Sequence, residues 1–403
     1  MQEEITQPRE EQAPGAGAEP VCTKKALSWE TLVFLVLVVG VFGAIGAKMG
    51  VTNMLNTLMN TAYELLMGTV FYIMAIAVLA GALSALLTEF GVVSAINKLL
   101  SPLMKPLYGL PGASIVGVLA TYLSDNPAIL TLADDKNFLR YFKKYQVPAL
   151  TNIGTAFGMG LIISTFMVGA GAANGLNCFK AVLFGNLGAI VGSIVSTRLM
   201  LIFTAKQFGR EADAVAKSGA EQSAVDENRR VVRSGNAASR FLAATLEGGQ
   251  TGVDMGVAII PGVLIICSLV MMLSKGPGAE GVYTGAAYEG VALLPWIGTK
   301  LEFILKPLFG FQSPEAIAVP ITALGAAGAA IGLVPDMLRQ GTANAHDIAV
   351  FTAMCMCWSG YLSTHVAMMD SLHYRELTGK AIACHTLGGI AAGVAANLLC
   401  FLL

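Results

Sequence analysis

The first residues able to do chemistry stand in the run Ser124-Asp125-Asn126-Pro127: a hydroxyl, a carboxylate and an amide beside a proline, between the apolar stretches 113–123 and 128–132. Each arm is far shorter than the roughly 20 apolar residues a bilayer crossing needs. Pro127 removes a backbone donor and disfavours helical angles at Asn126, which predicts two half-helices meeting at a polar tip. An ionisable side chain at membrane depth costs about 2.5–3.5 kcal/mol on insertion scales, so Asp125 is expected to face a cavity and bind a cation, a proton or a polar solute group. The same residue could cap the second half-helix through its free N–H groups. Ser124 and Asn126 add further oxygens and donors at the tip.

Two further clusters follow. Thr151 and Thr155 share a helix face at i, i+4 with Asn152 beside them, and are candidates to line the same site. The run Met354-Cys355-Met356-Cys357-Trp358-Ser359 offers an aromatic face and a hydroxyl at Trp358 and Ser359 for solute contact. Its sulfurs suggest an alternative metal set of Cys355, Cys357, His365 and Asp370, because soft ligands suit transition metals. Cys355 and Cys357 point apart on a regular helix, however, and cysteine and methionine are ordinary core residues. Asp254 and Asp370 read as boundary carboxylates, and His346, His373 and His385 as structural or surface groups.

The elements that must position these residues are membrane helices. With 55% hydrophobic and only 13% charged residues, the composition is that of an integral membrane protein. A formal net charge of -1 excludes a basic nucleic-acid face. Cys22, Cys178, Cys267, Cys355, Cys357, Cys384 and Cys400 are scattered, mostly in apolar runs, and form no disulfide framework. No phosphate-loop motif occurs, and the glycines near Gly154, Gly158 and Gly160 read as packing positions. No nucleophile, base and orienting group recur together, so an enzyme is not indicated.

In chain order, residues 1–28 are polar and acidic and read as a disordered cytoplasmic tail. An extra span covers 29–50. Further spans are predicted at 67–87, 147–168, 179–203, 255–273, 346–370 and 378–402, giving about seven. Amphipathic segments lie at 52–66, 92–107, 243–253 and 292–308, and 204–240 is a charged cytoplasmic linker. MKPLYGLPGASI (Met104 to Ile115) lines up with LKPLFGFQSPEAI (Leu305 to Ile317), and each leads into an interrupted apolar stretch, 112–135 or 314–337. Such a repeat of broken membrane units points to a secondary transporter. Placing the basic loops 136–144 and 204–240 and the turn with Arg375 and Lys380 in the cytoplasm requires both interrupted stretches to be re-entrant. The expected fold is therefore an all-α integral membrane protein, an inverted repeat of 52–203 and 241–403 with two opposed re-entrant helical hairpins and a cytoplasmic N-terminus.

The stretch from Met67 to Asp135 resembles the gate or "nucleoside recognition" domain shared by concentrative nucleoside transporters, spore-maturation membrane proteins and the ferrous-iron permease. The stretch from Asp347 to Leu399 resembles the last two helices of the nucleoside transporters. The resemblance implies two opposed hairpins, two broken helices and often a trimer. Ser124, Asp125, Asn126 and Pro127 stand where that family's first tip carries Thr-Glu-Ala-Pro. Its second-tip Asn-Glu pair falls near Ala329 and Ala330, and its late asparagine near Ser359, so those groups are missing here. The functional expectation is a secondary active transporter in the bacterial inner membrane. It would move a small polar solute, nucleoside or nucleobase-like by resemblance, with Na+ or H+ as coupling ion and no other cofactor. Its expected partners are the small-molecule or ion substrate, the lipid bilayer and further copies of itself, and no nucleic acid. The alternatives are a divalent metal-ion permease and a non-transporting scaffold or sensor of the spore-maturation type.

Overall fold

Hydrocarbon offers no partner to a peptide N–H or C=O, so apolar runs in a bilayer must close their hydrogen bonds within a helix. The computed structural model describes residues 25–124, 136–215, 232–359 and 361–401. Asp125, Asn126, the expected N-terminal tail up to residue 24 and the centre of the 204–240 linker lie outside these. Among the described residues every named element is helical, and six helical stretches are long and apolar enough to cross a membrane, Lys144–Ala173 among them although it is broken within. The chain is a multi-pass all-α membrane protein.

Helix α1, Trp29–Met49, keeps Leu32, Phe34, Leu35 and Val36 exposed on its surface. Helix α2, Val51–Glu89, contains 39 residues and so runs about 58 Å. The segment 52–66, expected as a separate interfacial helix, is its first part. Its polar residues hold protein instead of facing headgroups: Asn53 and Asn60 donate to the carbonyls of Tyr283 and Gly285 at 3.0 and 2.8 Å, and Thr61 accepts from Tyr288 N at 2.9 Å. Helix α3, Val92–Tyr108, is amphipathic as expected, and α4, Ser114–Leu123, is the first arm of the first hairpin. The span expected at 147–168 is broken instead into α5, Ala149–Thr155, and α6, Gly160–Ala173. Helix α7, Phe179–Phe208, enters the expected linker, and α8, Ala237–Ser274, begins within it and merges the segments expected at 243–253 and 255–273.

Helix α9, Leu293–Phe309, precedes the second hairpin, built from α10, Ala318–Ala323, α11, Ala327–Gly332, and α12, Val334–Arg339. The span expected at 346–370 is split into α13, Ala345–Cys357, and α14, Ser363–Ser371, before α15, Thr378–Cys400.

The repeated Lys-Pro-Leu-aromatic-Gly motif is a helix stop used twice. Gly109 ends α3 at φ 75° and Gly310 ends α9 at φ 66°, the left-handed region open to a residue without Cβ. The residues flanking each interrupted stretch are brought back together. Gln146 Nε2 donates to Gly109 O at 2.8 Å, closing the first. Gln312 Nε2 donates to Gly341 O at 2.9 Å and Ser313 Oγ to Thr342 O at 2.7 Å, closing the second.

The two closures lie at opposite ends. Gln146 adjoins the end where Lys144 N bonds Ala212 O and Lys143 pairs with Asp213 at 2.8 Å. Gln340 and Asp336 meet Lys275 at the other.

Corresponding helices of the two halves pack antiparallel. Gly81 of α2 faces Gly248 of α8 and Ala77 faces Gly252. An added Cβ at Gly248 or Gly252 would sit 2.4 or 2.3 Å from the opposing carbonyl oxygen. On α7 and α15, Gly192 opposes Gly388 and Gly188 opposes Ala392 in the same sense. Small residues permit this backbone approach, and antiparallel packing of equivalent helices is what an inverted repeat produces.

Candidate functional site

Helix α5 is seven residues long and wholly buried, so its polar side chains must find partners inside the protein. Asn152 Nδ2 donates to Ser196 Oγ on α7 at 2.9 Å and to Ala381 O on α15 at 2.8 Å. Thr155 Oγ1 donates to Thr151 O at 2.7 Å and lies 3.4 Å from His385 Nε2. Thr151 Oγ1 and Asn152 Oδ1 are left without partners. The helix stops at 156–159, where Met159 takes φ 55°. Tyr122 of the first hairpin packs so tightly over this break that a Cβ on Gly160 would stand 2.2 Å from its ring. Its hydroxyl donates to Asn186 Oδ1 at 2.9 Å, and Asn186 Nδ2 donates to Ser164 Oγ at 2.9 Å. Ser124 ends α4, half-buried, with its amide bonded to Ala120 O at 3.0 Å.

The second break follows Cys357. Unwinding frees carbonyls that water cannot reach, and a side chain replaces the lost partner: His385 Nε2 donates to Cys357 O at 2.5 Å. His385 Nδ1 lies 3.0 Å from Ser196 Oγ. Since a carbonyl only accepts, Nε2 carries the proton, Nδ1 accepts from Ser196, and Ser196 accepts from Asn152. One polar chain thus joins the first broken helix to the second through α7 and α15. Trp358, buried against Gly389, donates Nε1 to His385 O at 3.3 Å. Ser359 is also buried. Tyr361 O–H makes a short contact with Thr386 Oγ1. The Tyr361 ring is 6.1 Å from Trp358 and 6.2 Å from His365, and the His365 and His385 rings are 4.6 Å apart.

The structure therefore brings Thr151, Asn152, Thr155, Trp358 and Ser359 around the two breaks, with Ser124 at the end of the adjoining hairpin arm. Sequence reasoning missed Ser196 and Tyr361 and left His385 as a background residue. A histidine in the apolar run of α15 was the available signal. The alternative metal set does not converge: Cys355 and Cys357 are buried in α13, while exposed Asp370 pairs with Arg375 at 3.4 Å. Among the described residues no group of three or more His, Cys, Asp or Glu could hold a metal ion. Ala329 and Ala330 of the second hairpin are buried and offer only backbone, for example the Ala329 carbonyl that accepts from Cys267 Sγ at 2.9 Å.

Separately, a largely apolar cavity of about 700 Å³ lies between α3, α4, α6 and α7 and reaches the first break at Phe157, with Tyr122, Ser164 and Asn186 in its wall.

No protein-family profile matches the chain, and no curated protein matches it either. Among solved structures, CNTnw, a concentrative nucleoside transporter, in an inward-facing substrate-bound state is 14% identical with a TM-score of 0.51, over 93% of this chain and 85% of that one. A variant of CNTnw in an outward-facing state gives 15%, 0.51, 93% and 85%. Another, in the intermediate 2 state, gives 15%, 0.50, 93% and 93%. At this identity the likeness is one of fold.

Proposed function

We propose that the chain is a secondary active transporter that moves a small, uncharged polar solute by alternating access, one repeat working against the other. The observation that carries this reading is the meeting of two broken helices, flanked by opposed re-entrant hairpins, in one buried polar cluster. Non-helical backbone at membrane depth persists only where protein or a watery cavity satisfies it, and in inverted repeats such breaks form the solute site.

The side chains around the breaks are hydroxyls, an amide, imidazoles and aromatic rings, with no charged group among the described ones. That set suits a planar solute offering both donors and acceptors. A nucleoside or nucleobase is the first candidate, also in keeping with the fold shared with CNTnw. Thr151, Asn152, Thr155, Trp358 and Ser359 would contact it, with Ser124, Asp125 and Asn126 closing from the first hairpin. An ion gradient, of Na+ or H+, would drive it. The basic loops 136–144 and 206–213 and the turn near Lys380 gather at one end, where Lys380 Nζ lies 3.4 Å from Gln207 Oε1. Lys48, at the end of α1, bonds Val291 O at the other. This arrangement supports a cytoplasmic N-terminus in an inner membrane. Assembly as a homotrimer belongs to the same reading.

The test is a thermal-shift screen of the purified chain against uridine, adenosine, uracil, adenine, amino acids and divalent metals, followed by uptake of the stabilising compound into proteoliposomes. Stabilisation by a nucleoside or base, lost in Asn152→Ala and Asp125→Ala, is the expected result. Stabilisation by metals alone, or no uptake of any compound, would overturn the reading.

A further inference from the structure

Six Asp, Glu and His side chains are buried among the described residues, and five of them are engaged. Glu89 accepts from Arg233 and Arg240, Glu289 from Thr284 and Gly285, and Asp336 from Lys275. Asp347 accepts from the amides of Gln312 and Asn344, and His385 sits between Ser196 and Cys357. His365 is the sixth. It is fully buried, and neither ring nitrogen has a partner at good hydrogen-bond geometry, the Tyr361 carbonyl one turn back making only a weak contact. Leaving a buried polar group unpaired costs about 1–3 kcal/mol, and such exceptions call for an explanation.

The neighbouring imidazole of His385 is already engaged at both nitrogens: Nε2 donates to Cys357 O and Nδ1 accepts from Ser196, so a second proton there would require the Ser196 hydroxyl to turn its hydrogen elsewhere. His365, 4.6 Å away between ring centres, has both nitrogens unspent. It stands on α14 just beyond the second break, and α14 packs on α5, the first half of the other broken helix. Among the described residues, Thr151 Oγ1 and Asn152 Oδ1 on that helix are also unpaired side-chain acceptors.

We propose that His365 is the coupling-proton site of this protein, binding one proton at its free ring nitrogen on one side of the membrane and releasing it on the other. The inference rests on the transport reading for its purpose, though not for its existence. The proton enters from water with the solute and leaves to water, and nothing is oxidised or reduced. Protonated, the ring has two N–H donors to place; the Tyr361 carbonyl is an acceptor for one, and the unpaired Thr151 Oγ1 and Asn152 Oδ1 lie on the helix packed against α14. The titratable groups on the elements packed against α14 are Lys380, Cys384, His385 and Cys400 on α15, and Arg375 and Glu376 in the turn before it. Lys380, Arg375 and Glu376 are exposed, as is Asp370 on α14 itself. His385 and Tyr361 flank the ring, at 4.6 and 6.2 Å between ring centres.

The chain has four histidines, so 15N-histidine NMR of the full chain in lipid nanodiscs can be assigned with single His→Gln variants. Across the pH range over which proton-driven uptake occurs, His365 is expected to change protonation state while His385 keeps its Nε2–H form. A His365 signal that does not change across that range overturns the proposal. In proteoliposomes with uridine as probe, an inward proton gradient without sodium should drive accumulation. His365→Gln should abolish accumulation but retain uridine counterflow at equal pH, and His365→Asn, checked as monodisperse, should do the same. Accumulation by His365→Gln at the wild-type level, or loss of counterflow in both variants, also overturns it. If the wild type shows no counterflow of uridine or any stabilising compound, it is the transport reading that fails, and the NMR titration still decides the proton site.

Discussion

Gln146 reaches back to the carbonyl of Gly109 at 2.8 Å, across 37 positions of sequence, and so fixes the entrance and exit of the first hairpin at one level. Gln146→Ala should remove one part-buried hydrogen bond, worth about 0.5–1.5 kcal/mol, and lower the melting temperature accordingly. Gln146→Glu cannot donate and should resemble it. Maleimide reaction of a cysteine placed at Leu110 should rise in both variants; unchanged labelling would mean the closure does not hold the hairpin.

The seam between α2 and α8 depends on missing side chains. Gly252→Leu would drive carbon into the Ala77 carbonyl, so a loss of about 3 kcal/mol or more, at the upper end for overpacking, is expected. Gly249→Leu is the control, because its nearest neighbour beyond the helix is Val78 at 3.6 Å. The pair is compared by detergent-resistant thermal melts.

Glu289 should set the acid limit of the 275–292 loop. Burial pushes its carboxyl up, but hydrogen bonds from the Thr284 hydroxyl and the Gly285, Thr284 and Ala286 amides outweigh this and hold it below its ordinary value. A depressed carboxylate stabilises fully above its unfolded pKa, about 4.3, and that stability is lost as pH falls through the lower folded value. Proteolysis of this loop should therefore stay constant from neutral pH down to the ordinary carboxylate range and rise only below it. Glu289→Gln should be cleaved readily at every pH.

Lys275 and Asp336 join the end of α8 to the second hairpin at 2.6 Å, and both are mostly buried. Asp336→Ala removes the carboxylate from Lys275, which keeps its bond to Gln340 at 2.7 Å, so it should destabilise by about 1 kcal/mol or more, short of the roughly 3–5 kcal/mol of a fully buried pair. The exchange Lys275→Asp with Asp336→Lys should recover part of the loss in a double-mutant cycle. No recovery would mean that the two residues are not energetically coupled.

Much of the architecture was legible because hydropathy and the repeated Lys-Pro-Leu-aromatic-Gly motif report what a bilayer enforces. The split of 345–371 was implied by the resemblance of the late helices to those of the nucleoside transporters, and hydropathy alone gave one span there. The split at 156–159 was not marked, because Ala-Phe-Gly-Met is apolar throughout and its break is imposed by packing under Tyr122. The polar face of 52–66 suggested headgroups, since composition cannot tell a lipid partner from the 275–292 loop. At the site, Asn152 and Thr155 were readable from helical spacing. Ser196 and His385 are 189 positions apart, and only the antiparallel packing of α7 on α15 joins them.

That the two halves meet through equivalent helices has a consequence for origin. An antiparallel contact between like surfaces is self-complementary, the arrangement of a twofold homodimer. A chain of half this length, inserted in both orientations, could have formed the same seam as an intermolecular dimer. Fusion would then have freed each copy to diverge, leaving the polar tip with the first half and the alanine-rich one with the second.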